Sequence, residues 1–397
     1  MFKRFPPVGT LFPLRTTLKT FKASPDAVSV LERRMVELFE GQAAFSFNSG
    51  RAALTAVLRM IAETRRGKGV IVPAYFCYSV AAAIAKAGMK IFPADVVPET
   101  LSYDYKDRVR PSPSDVVAVV SPGLFGMPGD IPELQRICRP DHLFIIEDAA
   151  QTLGASIDGK PAGSFGDVSL FSFGRGKPLG GLGGGVLVTR GRAISETMKT
   201  DCVSPSPRAP WKSGLESVAA AAVLRPGLFS LVRLMPFIRF GRTVFDPDFV
   251  ERGLDAGSAA LIRELFKIKE QIFQVRLANG KELHERLDGI EGILIPKPRA
   301  GITHSYLRFP LIFEDPADRD AALFRLTTKG LGATAMYPQP LHKVEKAGKF
   351  LNLELRPFPG AEKVARGIMT LPTQASVGHR DINKIVKIIR EVLAAGA

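Results

Sequence analysis

Apolar residues in this chain fall into two arrangements that alternate from about residue 30 to residue 190. Short runs are apolar at nearly every position: GVIVPAYF at 69–76, DVVAVVSP at 115–122, HLFIIEDA at 142–149 and DVSLFSFG at 167–174. Such runs predict parallel strands covered on both faces. Between them Leu54, Val57, Leu58 and Ile61 recur at helical spacing, and SVAAAIAKAG closes on Gly88, a common helix terminator. The pattern over residues 30–200 predicts an α/β layer structure, in which ligands collect beyond the carboxyl ends of the strands.

The character changes at residues 203–250, where SPSPRAPWKSG reads as a loop and an apolar stretch follows, broken by Pro226 and Pro236 and studded with Arg225, Arg233, Arg239 and Arg242. Arginines mixed through the apolar face predict an insertion packed on the protein; contact of 224–242 with a membrane surface or a partner is the other reading. From about 254 one or two long helices lead toward a second domain. Its last element, DINKIVKIIREVL, carries Ile382, Ile385, Val386, Ile389, Val392 and Leu393 on one stripe with Asp381 as the expected cap. The expected division is 1–255 for an N-terminal arm and large domain, the 203–250 insertion included, and 256–397 for a linking helix and small domain.

With 54 Lys and Arg against 39 Asp and Glu, the net charge is +15, a field that attracts phosphorylated or acidic ligands. No zinc-finger spacing, basic heptad region or aromatic ribonucleoprotein motif accompanies the charge, so nucleic acid is not the expected partner. Cys77, Cys138 and Cys202 are scattered and no Cys/His cluster stands ready for zinc, which fits a reducing, cytoplasmic setting without a metal site. The amino-terminal MFKRFPPVGTLFPL has prolines where a signal peptide needs an unbroken apolar run, and no stretch is long and apolar enough to span a bilayer.

Three features fall where strands end. Asp148 closes an apolar strand, and a carboxylate there needs a cationic partner or it neutralises; a helix cap or a salt bridge would also account for it. Ser49, Gly50 and Arg51 open an amphipathic helix whose free N–H groups suit a phosphate, although Ser-Gly also occurs as plain capping. Lys177, five residues after Ser172 and followed by a run of glycines, could be a solvated loop residue or an amine that forms a Schiff base. A phosphate cradle, an acid and an amine at one rim are together what pyridoxal 5'-phosphate requires.

At these residues the chain resembles the DegT-type sugar aminotransferases, pyridoxal-phosphate enzymes of fold type I. The resemblance runs through SGRAAL, VIVPAYFCYSVAAAIAKAGMKIFPADVVPETLSYD, LFGMPGDIPEL, IIEDAAQTLGASIDGKPAGSFGDVSLFSFGRGK, YPQPLH and FPGAEKVARGIMTLPTQ, nearly the whole chain in order. It implies a large α/β/α domain with a mostly parallel central sheet and a smaller C-terminal α/β domain. It further implies that Lys177 bonds the cofactor and moves protons, that Asp148 pairs with the pyridine nitrogen, and that Gln151 lies near the phenolic oxygen. Ser49, Gly50, Arg51 and Ser172 would hold the phosphate. His342 falls where the family has a residue near substrate, a buttress of the domain junction being the other reading, and differences around Arg308 and in AYFCY are expected to set the sugar.

The chain also departs from the family pattern. Cys77 stands where a large aromatic commonly covers the cofactor, so stacking is expected from Tyr75, Phe76 or Tyr78. Arg51 replaces a small hydroxyl residue, which predicts a guanidinium on the phosphate. The Gly-Tyr-Asn-Tyr-Arg segment that lets a second subunit reach the phosphate is missing, with Arg242 or Lys212 as substitutes. By resemblance the reaction moves an amino group from an amino acid, L-glutamate, to a keto sugar carried on a nucleotide, for surface polysaccharide or secondary-metabolite sugars, in a cytoplasmic homodimer. The alternatives are a related sugar dehydratase, against which Lys177 argues because that branch has histidine there, and a non-catalytic binding protein on the same fold.

Overall fold

The computed structural model describes residues 5–6, 8–105, 115–200, 204–225, 229, 244–352 and 357–396. Seven strands form the main sheet: β1 (Ala43–Phe47), β2 (Gly69–Pro73), β3 (Lys90–Ala94), β4 (Val116–Pro122), β5 (Phe144–Asp148), β6 (Val168–Ser172) and β7 (Gly185–Thr189). Their order is β1-β7-β6-β5-β4-β2-β3. Neighbours from β3 through β6 pair parallel, whereas β7 pairs antiparallel with both β6 and β1. All the predicted apolar runs lie in this sheet, and β2, β4, β5 and β7 are buried at every position, as strands covered on both faces must be.

Helices supply the cover. In chain order these are α1 (Leu14–Phe21), α2 (Ala27–Leu38), α3 (Gly50–Thr64), α4 (Tyr78–Lys86), α5 (Ile131–Cys138), α6 (Arg192–Thr200), α7 (Pro210–Val223) and α8 (Ala256–Lys267). The expected stripe of α3, Leu54, Val57, Leu58 and Ile61, is sealed in the core, each such side chain contributing about 1.5–3 kcal/mol of transfer free energy. The helix α4 stops at Lys86, and Gly88 follows with φ +73° in open space, the conformation that favours glycine at a helix end.

A second sheet, β8 (Ile293–Leu294), β9 (Arg308–Phe313) and β10 (Ile368–Pro372), is antiparallel throughout. Around it lie α9 (Lys269–Leu287), α10 (Pro316–Thr328), α11 (Pro359–Gly367) and α12 (His379–Gly396). Ile382, Ile385, Val386, Ile389 and Val392 of α12 are buried as the stripe predicts. Asp381 is not the N-cap: the helix begins at His379, and the Asp381 carboxylate reaches back to accept the Gly378 N–H at 3.1 Å. That is the carboxylate half of a capping box, one turn inside the position expected from sequence. Leu261, Ile262 and Leu265 of α8 pack with Phe171, Phe173 and Val186 of the main sheet.

Within 203–250 the described residues include α7, and it is a packing element. Ser217 and Thr20 hydroxyls lie 3.0 Å apart, and the Ser213 hydroxyl donates to Asp255 at 2.7 Å while Asp255 caps α8 through the Ser258 N–H. Residues 226–228 and 230–243, with Arg233, Arg239 and Arg242, lie outside the described residues, and so does most of the surface contact expected through 224–242. Among the described residues no helix is long and apolar enough to cross a membrane.

Candidate active site

The carboxyl ends of β1, β4, β5 and β6 share one rim with the start of β7, because Phe47 and Ser172 both register with Gly185, and Pro122 registers with Asp148. A Cβ at Gly185 would stand 2.3 Å from the Ser49 carbonyl oxygen and 2.6 Å from the Gly50 Cα. Only a residue without a side chain lets the start of α3 come this close to the sheet.

At that start Ser49 caps the helix in extended conformation, its hydroxyl accepting the Ala52 N–H at 3.2 Å. The Ala53 N–H goes to the Ser49 carbonyl. The N–H groups of Gly50 and Arg51, the first two of the helix, have no intrahelical partner. They form the positive end of a 15-residue helix. Facing them, Ser172 ends β6 with its Oγ 3.1 Å from where a Gly50 Cβ would be. The cradle is a hydroxyl and the first N–H groups of α3 around a space that a side chain on residue 50 would narrow, and a phosphate fits this donor set.

Arg51 contributes its backbone alone to that set. Its guanidinium lies over the Phe249 ring, 4.6 Å from the centroid, where Lys86 also stacks at 4.7 Å. The guanidinium expected at the phosphate thus meets an aromatic face supplied by the 244–254 segment, remote in sequence. Lys212, expected as a substitute for a second subunit's arginine, is exposed on α7 with its ammonium 5.6 Å from the Trp211 centroid.

Asp148, the last residue of β5, is buried. One carboxylate oxygen accepts the Ala150 N–H at 3.0 Å. Burial pushes its pKa above the ordinary carboxylate range, and the Lys177 ammonium is the strongest influence pulling it back, followed by the Ala150 hydrogen bond; the neighbouring Glu147 acts in the raising direction. The two side chains named at the strand ends therefore feel one another. A carboxylate that burial pushes toward neutrality and one amine pulls back toward its charged form is suited to meet a protonated ring nitrogen, and the residues present fit pyridoxal phosphate: acid, amine and phosphate cradle on one rim.

Gln151 is fixed beside them. Its Oε1 accepts the Phe125 N–H at 3.2 Å and its Nε2 donates to the Tyr337 hydroxyl at 3.4 Å. Phe125 and Tyr337 both occupy left-handed backbone, φ +59° and +51°, and their rings lie 6.3 Å apart and 22° from parallel. Tyr75 and Tyr78 meet Tyr337 edge-on at 6.0 and 5.7 Å. Their hydroxyls donate to the Met336 and Gln339 carbonyls, each at 2.6 Å. Phe76 and Cys77 are buried beside this cluster, and Cys77 and Cys138 are free thiols. Sequence reasoning named Tyr75, Phe76 and Tyr78 as the aromatic supply and missed Tyr337, although it lies within the quoted YPQPLH.

The other two expected substrate residues, His342 and Arg308, are both engaged by neighbouring side chains and backbone. His342 Nε2 lies 3.2 Å from a Glu362 oxygen and its ring 4.9 Å from Phe358. The Leu341 N–H donates to the Ala74 carbonyl just past β2, so the contacts present are those of a junction buttress. Arg308 is buried at the start of β9, where its guanidinium donates to the Thr370 hydroxyl at 2.6 Å and to the Thr370 and Gly332 carbonyls. Burial lowers its pKa to about 9, the nearby Arg276 cation adding to the effect. Arg308 ties β9, β10 and the 332 turn together, and its backbone N–H donates to the Phe125 carbonyl at 3.0 Å, next to the cluster beside Gln151.

Glu147, next to Asp148 but on the opposite face of β5, was also missed. Its buried carboxylate accepts the N–H groups of Gly163, Phe165 and Gly166 at 2.6, 2.8 and 3.2 Å and the Ser169 hydroxyl at 3.0 Å. Arg190 holds the same loop from the other side through the Gly166 carbonyl and Ser169. This network shapes the segment between β5 and β6 that quoted as GKPAGSFGD.

Residues 17–390 match the DegT/DnrJ/EryC1/StrS aminotransferase family. The chain belongs to that family. This aminotransferase is 25% identical over 346 residues, 87% of its own length and 83% of the relative's, to a UDP-N-acetyl-3-dehydro-alpha-D-glucosamine 3-aminotransferase of Acidithiobacillus ferrooxidans. Its fold is similar to that of DesV of S. venezuelae, solved with a ketimine intermediate (TM-score 0.74, 23% identity, 97% of this chain and 98% of that one). It is also similar in fold to PseC of Helicobacter pylori, an aminotransferase of pseudoaminic acid biosynthesis (TM-score 0.78, 16% identity, 99% and 100% covered). The β7-reversed sheet with its small antiparallel companion is thus the fold type I aminotransferase architecture. The expectation of a non-catalytic protein on this fold is not favoured by these relatives.

Proposed function

We propose that this aminotransferase uses pyridoxal phosphate, held by Lys177, Asp148, Ser172 and the N–H groups of Gly50 and Arg51, to move an amino group from an amino acid, L-glutamate, to a keto sugar carried on a nucleotide. The observation that carries the reading is the buried Asp148 at the end of β5 and the Lys177 loop after β6 sharing one rim with the phosphate cradle, where the amine pulls the carboxyl's pKa down. The sugar class is supported by the relative that acts on a UDP-linked 3-dehydro sugar. The net charge of +15 favours such an anionic substrate.

When bound, the cofactor supplies an electron-accepting pyridinium ring. Asp148 keeps the proton on that ring's nitrogen, because its desolvated carboxylate gains most from a cationic partner. Lys177 would hold the cofactor through Nζ at its aldehyde carbon, and the same amine, when free, would be the base at the donor's α-carbon. Gly50, Arg51 and Ser172 anchor the phosphate, so that the ring stays put while its covalent partner changes. Tyr75, Tyr78, Phe125 and Tyr337 close one side against water.

The test is a half-reaction. The purified wild-type protein loaded with pyridoxal phosphate should be yellow, bleach with L-glutamate, and regain colour with a nucleotide-linked keto sugar. Lys177→Ala should neither show that absorption nor turn over. Turnover by Lys177→Ala at the wild-type rate, or no bleaching of the wild type by any amino acid, would overturn the assignment.

A further inference from the structure

Lys177 sits on a loop, residues 173–181, that contains four glycines at 174, 176, 180 and 181. Backbone so rich in glycine has little conformational preference of its own. Three internal hydrogen bonds hold it: Lys177 N–H to the Gly174 carbonyl at 3.1 Å, Gly180 N–H to the Lys177 carbonyl at 3.0 Å, and Gly181 N–H to the Phe173 carbonyl at 2.9 Å.

Into this turn comes a hydroxyl from far upstream. Thr10, separated from Lys177 by 167 positions, places Oγ1 3.1 Å from the Lys177 carbonyl and 2.9 Å from the Pro178 carbonyl, and accepts the Gly180 N–H at 3.1 Å. A hydroxyl has one proton and two lone pairs, so the proton is shared between the two carbonyls while the oxygen takes the amide. Thr10 is 2% exposed, which keeps water from substituting for it. Just before it, a Cβ added at Gly176 would stand 2.9 Å from the Val8 Cγ1, so the arm runs directly against the loop.

The arm is itself held from the other side. The Phe5 N–H donates to the Gly330 carbonyl at 2.9 Å, Gln374 Nε2 donates to the Pro6 carbonyl at 2.7 Å, and the fully buried Arg276 donates to the Gly9 carbonyl at 2.8 Å. Gly330, Gln374 and Arg276 belong to the part of the chain around the small sheet. The amino-terminal arm is therefore a strap between that part and the loop that carries the lysine.

We propose that Thr10 is a positioning residue for Lys177: it fixes the backbone at the lysine and over the three residues that follow it, and so sets where Nζ meets the cofactor aldehyde. The inference rests on the reading of Lys177 given above. The bond in question forms between Nζ and the aldehyde carbon, and the aldehyde oxygen leaves as water. Thr10 takes no part in that exchange and acts through the backbone alone.

The test follows formation of the bond. Cofactor-free wild type, Thr10→Ser and Thr10→Val are mixed with pyridoxal phosphate, quenched with borohydride at intervals, and the adduct is located on Lys177 by peptide mass. Thr10→Val has nearly the same shape but loses all three hydrogen bonds, and should form the adduct about tenfold more slowly, the scale of one or two net hydrogen bonds. Thr10→Ser should stay within about twofold of wild type because the hydroxyl is kept. A Thr10→Val protein that folds and forms the adduct at the wild-type rate overturns the inference, as does a Thr10→Ser protein as slow as Thr10→Val. No adduct on Lys177 in the wild type would instead sink the reading of the site. Amide hydrogen exchange of the wild-type protein decides the clamp whether or not the variants fold or the adduct forms. The Gly180 N–H should exchange as slowly as the amides of β6, and exchange at the rate of an open loop overturns the proposal.

Discussion

Gly50 faces Ser172 so closely that a Cβ on the glycine would stand 3.0 Å from the serine Cβ. The helix that begins at Gly50 thus delivers its first N–H groups next to a hydroxyl at the end of β6. Gly50→Ala should weaken binding of pyridoxal phosphate by about tenfold or more while changing thermal stability little, because Ala is a good residue in a helix's first turn and the lost space lies in the cradle. Equilibrium titration of the cofactor-free protein, followed by absorbance, checks this; unchanged affinity would show that the phosphate sits elsewhere.

Asp148 separates stability from catalysis. Its folded-state pKa is raised above that of the unfolded chain. The cofactor-free protein therefore holds a proton there that the unfolded chain releases, and this contribution to stability falls as pH rises from the ordinary carboxylate range through the raised value. Asp148→Asn removes the buried charge and should raise the melting temperature of the cofactor-free protein at pH 7. It should also cut kcat by about 100-fold or more, since a neutral amide cannot hold the ring-nitrogen proton. Calorimetry and steady-state rates measured on the same preparation test both halves.

Glu147→Gln should destabilise the segment between β5 and β6. The amide puts an N–H₂ group against backbone N–H donors at Gly163, Phe165 and Gly166 that the carboxylate now satisfies. A cost of about 1–3 kcal/mol is expected from a buried acceptor lost. Urea unfolding should show a lower midpoint at unchanged slope, and an equal midpoint would contradict the network's role.

His304 gives the acid limb of the stability curve a defined component. Its Nδ1 accepts the Tyr306 N–H at 2.7 Å, its ring stacks on Tyr306 with centroids 4.0 Å apart, and Nε2 is sealed from solvent. Burial lowers its pKa to about 3, His284 adding to the effect. The unfolded chain takes up a proton below about pH 6.5 that the folded protein refuses, so stability is lost as pH falls from there toward 3. His304→Asn, which does not titrate, should flatten the fall in melting temperature between pH 6.5 and 4; an identical slope would exclude this histidine.

Much of this was legible in the chain because it is local. Continuous apolar runs could only be strands covered on both faces, and they placed Asp148 and Lys177 after strands whose carboxyl ends share a rim. Motif order along nearly the whole length then indicated the family. Helix caps were less secure, as Asp381 shows, since a carboxylate can serve from the first turn as well as from the cap.

What the chain alone determined was therefore the layer order, the rim and the chemical types gathered at it. What tertiary structure decided was where each long or polar side chain finds its partner. Arg51 turns away to Phe249, Arg308 is bound within the small sheet, Tyr337 comes in beside Gln151, and Thr10 reaches the Lys177 loop. A strand or helix is set by neighbours a few positions away, whereas these contacts join residues up to 198 positions apart and exist only once the sheets have assembled.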